Sequence, residues 1–205
     1  MARTDSKPGP RGERGELSAR ILESARTEFA AQGFAGTTMR AVARAAGVDA
    51  ALVHHYFGTK ETLLNACIEF PASFLERVRQ TWQTPAEDLG RALVATTLQN
   101  WRSPDSEPVL RAILLIAAHH EPTRERLRQT IAGQLMGPAA IGRTDVERTT
   151  RSSLIASQLL GLGLVRYVWQ IEPLATLDDA AVIDAVGPTI QRYVDGDLGP
   201  TGRDV

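Results

Sequence analysis

Between residues 38 and 64 the chain reads TMRAVARAAGVDAALVHHYFGTKETLL, and no other stretch limits its folding choices so tightly. Thr38 can cap a helix over residues 39–46, because its hydroxyl accepts one of the amide bonds left open in a first turn. Gly47 stops that helix: the left-handed position that re-aims the chain is costly for any residue with a Cβ. Asp49 can cap the helix that follows, and Thr59 a third that starts at Lys60. Val42 and Ala46 share a face of the first helix, and Val48, Leu52 and Val53 supply apolar contacts from the turn and the second, closing a small wedge. The other face of the second helix carries Ala50, Ala51, His54 and, rotated round, His55. A small first turn followed by donors and acceptors suits the major groove of DNA. Tyr56, Thr59 and Lys60 add hydroxyls and a cation near a helix start, which is phosphate chemistry.

The pattern A-V-A-R-A-A-G-V-x-x-x-x-V-x-H-Y-F-x-x-K-E-x-L-L, residues 41–64, resembles the DNA-binding domain of the TetR family of transcriptional repressors. The AGV turn, the HYF triplet and the KE pair all stand at the family's spacing, and the likeness spans about the first third of the chain. The resemblance implies that Thr38 and Arg40 meet DNA from the first helix of the motif. It further implies that Ala50, Ala51, Leu52 and His54 face the groove while His55, Tyr56 and Lys60 hold the backbone. Leu52 stands where a small hydroxyl residue is common and His54 where Tyr is common, so the operator sequence does not follow from the likeness.

Residues 1–16 are rich in Pro, Gly and charge and read as a flexible arm. Its cations Arg3, Lys7, Arg11 and Arg14 suit either a segment draped along DNA or a frayed end. Over residues 17–32 Leu17, Ile21, Leu22, Ala25, Phe29 and Ala30 recur at helical steps, and Gly33 ends the run. Phe34 and Met39 then pack under the motif and complete a three-helix DNA-binding domain over residues 17–64. Pro71 has no amide donor, so the helix from Lys60 should end or kink near Phe70 and leave a joint. The remainder, residues 65–195, reads as a helical effector-binding and dimerisation domain. Its helices are expected over 72–83, 85–101, 108–120, 122–136, 145–171 and 178–194, with prolines 85, 108 and 122 in first turns. No alternating strand interrupts them, so the fold class is all-α, with residues 196–205 as a flexible tail.

Residues 154–171 are apolar nearly all round, and such a helix must be covered on both sides. One side can meet the chain's own core and the other a second copy, with Ser157 and Gly161 allowing close approach. The expected seam joins Ser157, Leu160, Gly161, Leu164 and Val168 to Val182, Val186 and Ile190 of the last helix. The resemblance agrees, since the family builds its dimer from its last two long helices. It also implies a cavity in this domain. Phe70, Phe74, Trp82, Leu98, Trp101, Ile113, Leu114 and Met136 are its candidate lining, although core packing is the ordinary role for each. Gln99, Asn100, His119 and His120 are the polar neighbours. A lining this short of fixed charge calls for a small apolar or aromatic organic effector.

The totals leave room for this and close off alternatives. With 205 residues, 43% hydrophobic and 23% charged, the chain has the composition of a folded domain. A net charge of −1 supplies no global basic field, so any DNA surface must be local. Residues 1–62 hold nine Arg and Lys against seven Asp and Glu, a net of +2, which leaves 14 against 17, or −3, elsewhere. The lone Cys67 excludes an internal disulfide and a Cys-based zinc site, and reads as a buried helix residue. No apolar leader opens the sequence. Its most apolar stretch, 154–165, is too short to span a membrane and is followed by Arg166, so a cytoplasmic protein is expected.

Two adjacent His pairs, His54-His55 and His119-His120, invite a metal. Neighbours on a helix point ~100° apart, however, and cannot share an ion as residues four apart do. His119 and His120 suit a helix end, where imidazolium meets the carbonyl pole. No G-x-S-x-G turn, P-loop, dinucleotide fingerprint or Cys–His pairing is present, so neither catalysis nor a cofactor is expected. The sequence as a whole points to a homodimeric repressor on a palindromic, double-stranded operator, released by a small effector. The alternative is an all-α DNA-binding dimer with no small-molecule effector.

Overall fold

The computed structural model describes residues 10–131 and 144–199, with side chains from residue 15 onward. Those residues form helices joined by turns, and no strand occurs among them. Helix α1 (Pro10–Gly36) begins at Pro10 rather than at residue 17, because proline is well placed in a first helical turn. Arg3 and Lys7 lie outside the described residues, as do the side chains of Arg11 and Arg14. The helix breaks at Gly33, whose φ of 65° and ψ of 176° only glycine adopts without strain.

Helices α2 (Met39–Ala46), α3 (Ala50–Phe57) and α4 (Lys60–Cys67) follow, each started by the expected cap. Thr38 Oγ1 accepts the Ala41 amide at 3.1 Å, Asp49 Oδ1 the Ala51 amide at 2.7 Å, and Thr59 Oγ1 the Thr62 amide at 3.1 Å. Gly47 is left-handed (φ 64°, ψ 39°), and the amides of Gly47 and Val48 close back on the carbonyls of Arg44 and Ala43. The wedge closes through Val42, Ala46 and Val53; Leu52 is only half-buried.

Pro71 caps α5 (Ala72–Thr81), so α4 and α5 are separate helices. A single 3-10 turn (Ala86–Asp88) leads into α6 (Leu89–Arg102). Pro108 and Pro122 occupy the first turns of α7 (Glu107–Ala117) and α8 (Glu121–Thr130). The long apolar helix runs as α9 (Asp145–Gly163) and then loosens into one π turn (Leu164–Val168). It ends before residue 171, with Gln170 at a φ of 52°. Helix α10 (Asp179–Asp195) completes the chain and carries Pro188 within it.

Two cores result. The first joins Ile21, Phe29, Val42, Val53, Leu63 and Cys67 to Val109, Ala112, Ile113 and Ile116 of α7. Residue 64 is therefore no boundary in the packing. The second lies between α6, α9 and α10 around Leu93, Leu98, Ile155, Val182 and Ile190. Val182 and Ile190 are 1% and 0% exposed within the single chain. That corrects their assignment to a dimer seam, because both side chains are already closed against α6. Cys67 is buried as expected, and burial pushes its thiol up to about 12, against the opposing pull of the Arg26 charge. No helix among the described residues is long and apolar enough to cross a membrane.

Helices α6 and α10 touch backbone to backbone. A Cβ at Gly90 would lie 2.5 Å from the Gln191 amide nitrogen and 2.6 Å from the Gly187 carbonyl oxygen. The Gly90 amide also donates to Gln191 Oε1 at 2.8 Å. Overpacking of this kind costs ~1–3 kcal/mol. Gly90→Ala should lower unfolding stability by that amount in a denaturant titration, and an unchanged midpoint would show that the two helices can part freely.

Candidate nucleic-acid interface and the cavity behind it

The turn and α3 present one accessible face. Ala51, His54 and His55 are exposed on α3, Ala50, Leu52 and Tyr56 are half-buried, and Thr38 and Arg40 are exposed at the start of α2. Arg44, one turn on from Arg40 and also exposed, was passed over by the sequence reading although its spacing of four put it on the same face. His54 Nδ1 lies 2.9 Å from the Gly58 carbonyl oxygen. That oxygen can only accept, so Nδ1 carries the hydrogen, and in this tautomer Nε2 is the acceptor. An outward acceptor on this helix suits the exocyclic amines of adenine or cytosine.

Lys60 is placed differently from the expectation that it holds the DNA backbone. Its ammonium donates to the carbonyls of Phe34 at 2.8 Å and Thr37 at 3.0 Å and sits 4.3 Å from the centre of the Phe34 ring. Two of its three hydrogens are therefore engaged in closing the α1–α2 turn. His120 also departs from expectation. Its Nδ1 caps the start of α8 by accepting the Thr123 amide, and its ring lies 4.7 Å from that of Phe34. It thus serves a helix N-terminus and not a carbonyl pole. Among the described residues no group of His, Cys, Asp and Glu is arranged to hold a metal ion.

Behind the first core lies a cavity of about 820 Å³, counting its mouth, between α5, α6, α7, α8 and α9. Five of the expected lining residues meet there: Phe70, Phe74, Trp101, Ile113 and Leu114. Trp82 and Leu98 do not. Leu98, 1% exposed, belongs to the second core, and Trp82 packs against it. Met136 lies outside the described residues. The sequence reading missed Thr81, Thr96 and Thr97, which line the cavity with Asn100, and Leu160, expected in the seam, is part-exposed and also reaches the cavity wall. Gln99 faces a separate surface dip, beside Arg77 and Arg102.

A capped helix–turn–helix ahead of an all-helical domain with an internal cavity can be set against known proteins. The model of the family described as bacterial regulatory proteins, tetR family, matches residues 21–67. That of the tetracyclin repressor-like C-terminal domain matches residues 87–194, more than half of the chain. The chain belongs to the TetR family.

The chain is 56% identical over 54 residues to the HTH-type transcriptional regulatory protein RaaS of Mycobacterium tuberculosis, covering 26% of this chain and 25% of that one. An HTH-type transcriptional repressor of the same organism is 37% identical over 90 residues, 44% of this chain and 47% of its own. The matches thus span less than half the length of these two relatives. A solved TetR-family regulator from Streptomyces coelicolor is similar over nearly the whole length, at 32% identity, 91% of this chain and 99% of that one, with a TM-score of 0.61. The chain thus carries the helix-turn-helix domain of a family of bacterial regulatory proteins, followed by that family's C-terminal domain.

The two cations separate in a test. Lys60→Ala removes charged hydrogen bonds worth ~1.5–3 kcal/mol and should lower the melting temperature. Arg40→Ala should leave melting unchanged and make the salt dependence of DNA affinity shallower by about 0.9 in log–log slope. If Lys60→Ala melted normally and changed only the salt slope, its carbonyl contacts would be incidental.

Proposed function

We propose that this TetR-family chain is a ligand-released repressor, a homodimer that places two copies of α3 on a palindromic operator and lets go when a small apolar or aromatic molecule fills the cavity. The observation that carries the reading is the position of Ile113. It lies in the cavity wall and also in the core that α7 shares with α1, α2 and α4. A ligand that moves α7 therefore moves the packing beneath the reading helix. It releases DNA to the extent that it binds better to a conformation in which the two reading helices are wrongly placed.

The dimer reading rests on the open face of α9. Ser157 is exposed, Leu160, Leu164 and Val168 are part-exposed, and nothing lies within 4 Å of a Cβ built on Gly161. Val186 of α10, half-buried, is retained at the edge of this seam. Just beyond it Trp169 and Ile171 are 60% and 50% exposed, and large apolar residues gathered at the end of an uncovered helix suit a protein partner. A two-fold dimer would read half-sites about one helical turn apart, or a multiple of it.

Gly161→Glu puts a charge into this face without touching the chain's own core. The variant should keep the parent's helical content, run as a monomer by light scattering, melt lower because it lacks the stabilisation of a bound subunit, and lose its affinity for the operator obtained by in vitro selection. A dimer with intact binding would overturn the seam. For the cavity, a thermal-shift screen of uncharged aromatic compounds should yield ligands that quench tryptophan fluorescence and weaken operator binding in proportion to saturation. Ligands that saturate the protein and leave operator affinity unchanged would break the proposed coupling.

A further inference from the structure

Resting on the reading of the cavity as an effector site, we infer that Asn100 selects the effector, and that the ligand is uncharged, largely apolar and carries a carbonyl or equally strong hydrogen-bond acceptor. Asn100 is 2% exposed and lines the cavity. Its Oδ1 accepts Arg77 Nε at 2.6 Å, while Arg77 Nη2 donates to Ser106 Oγ at 2.8 Å. A guanidinium can only donate, so this contact fixes which end of the amide is oxygen. The amide nitrogen is then the end left over, and among the described residues it has no partner. The positive charge behind Oδ1 polarises the amide and makes those hydrogens stronger donors.

The hydroxyls of the lining have the opposite character. Thr81 donates to the Arg77 carbonyl at 2.8 Å, so in its 2.5 Å contact with Thr96 the Thr96 hydroxyl must be the donor. Thr97 donates to the Leu93 carbonyl at 2.8 Å. All three hydrogens are taken, and only lone pairs remain to meet a ligand. Among the described residues no charged side chain lines the cavity. An ionic ligand would lose its hydration without gaining a counter-ion. The stacked rings of Phe70 and Phe74, 4.4 Å apart, with Trp101 and Ile113, supply the apolar wall. What fits is an apolar body with an acceptor set against Asn100.

The test uses the full-length chain and three probes: benzophenone, diphenylmethane, which has the same two rings and no acceptor, and diphenylacetate, which carries a charge. Binding is followed by tryptophan fluorescence and thermal shift. Transfer from water alone favours the hydrocarbon. The inference requires the reverse, with benzophenone at least about tenfold tighter than diphenylmethane and diphenylacetate the weakest.

Asn100→Asp keeps an oxygen for Arg77 and replaces the donor with an acceptor, so it should abolish the ketone's advantage while diphenylmethane still binds. Asn100→Leu should give the same loss. Equal affinity of ketone and hydrocarbon in the parent chain, a preference that survives in Asn100→Asp, or tightest binding of the carboxylate would each overturn the inference while leaving the cavity as a ligand site. If neither neutral probe bound, the inference would fall together with the effector reading. The parent's ketone-to-hydrocarbon ratio decides the matter even if both variants fail to fold.

Discussion

Helices of eight residues do not persist alone in water, and α2, α3 and α4 are all of that length. What makes them a rigid reader is burial of their inner faces against α1 and one another, in a core that α7, packed on α1, completes through Val109, Ala112, Ile113 and Ile116. The rest of the structure depends on this shared core. A DNA-binding unit that completed its own interior could hang from a flexible linker and ignore its neighbour. This one borrows part of its interior from a helix whose other side faces a cavity.

The cations serve the same end. Short helices leave unpaired carbonyls at every C-terminus, and in this chain lysine and arginine side chains from other elements repeatedly supply the missing donors. Lys60 closes the end of α1, Arg26 takes the Cys67 carbonyl at the end of α4, and Arg124 takes those of Ala117 and Ala118 at the end of α7. Arg151, 7% exposed, holds the carbonyls of Tyr193 and Gly196 at the end of α10. Arg166, 4% exposed, ties down Leu174 and Leu177 between α9 and α10. This explains why the charge excess of the first 62 residues is so slight a guide to DNA. Several of the basic side chains counted there and beyond are internal ties, and the field at the reading face comes from a few exposed groups such as Arg40 and Arg44.

Local chemistry was legible in the sequence and long-range partnership was not. Thr38, Gly47, Asp49 and Thr59 act on amides and carbonyls a few residues away, so their roles follow from type and spacing. Lys60 has partners that precede it by 23 and 26 residues, brought near by a break at Gly33 whose direction no periodicity encodes. Val182 and Ile190 show how an apolar stripe identifies a buried face without saying what covers it. Leu98 and Trp101, three apart on α6, divide between a packed core and the cavity wall. The threonines of the cavity were missed because large apolar residues are the usual sign of a pocket, whereas Thr81 and Thr97 spend their hydroxyl hydrogens within their own helices and Thr96 spends its own on Thr81. Asn100 was noticed only as a polar neighbour, since its orientation depends on Arg77 from another helix.

On the proposed reading of a ligand-released dimer, the coupling asked of the ligand is modest when the DNA partner is two-fold. A dimer on a palindrome gains its second half-site as an intramolecular event, and avidity of this kind raises affinity by ~10²–10⁴ with no new contact. That gain survives only while the spacing of the two reading helices matches the helical repeat of DNA. A ligand need not disturb Arg40, His54 or any group that touches a base. It need only shift α7, and with it the common core, far enough that one half-site is engaged while the other is out of register. Each α3 could then remain capped and folded, with its own half-site affinity unchanged, while the assembly lost most of its hold. In such an arrangement the stiffness of the shared core matters more than the size of the movement, because a soft core would absorb the displacement of α7 before it reached the helix that reads the DNA.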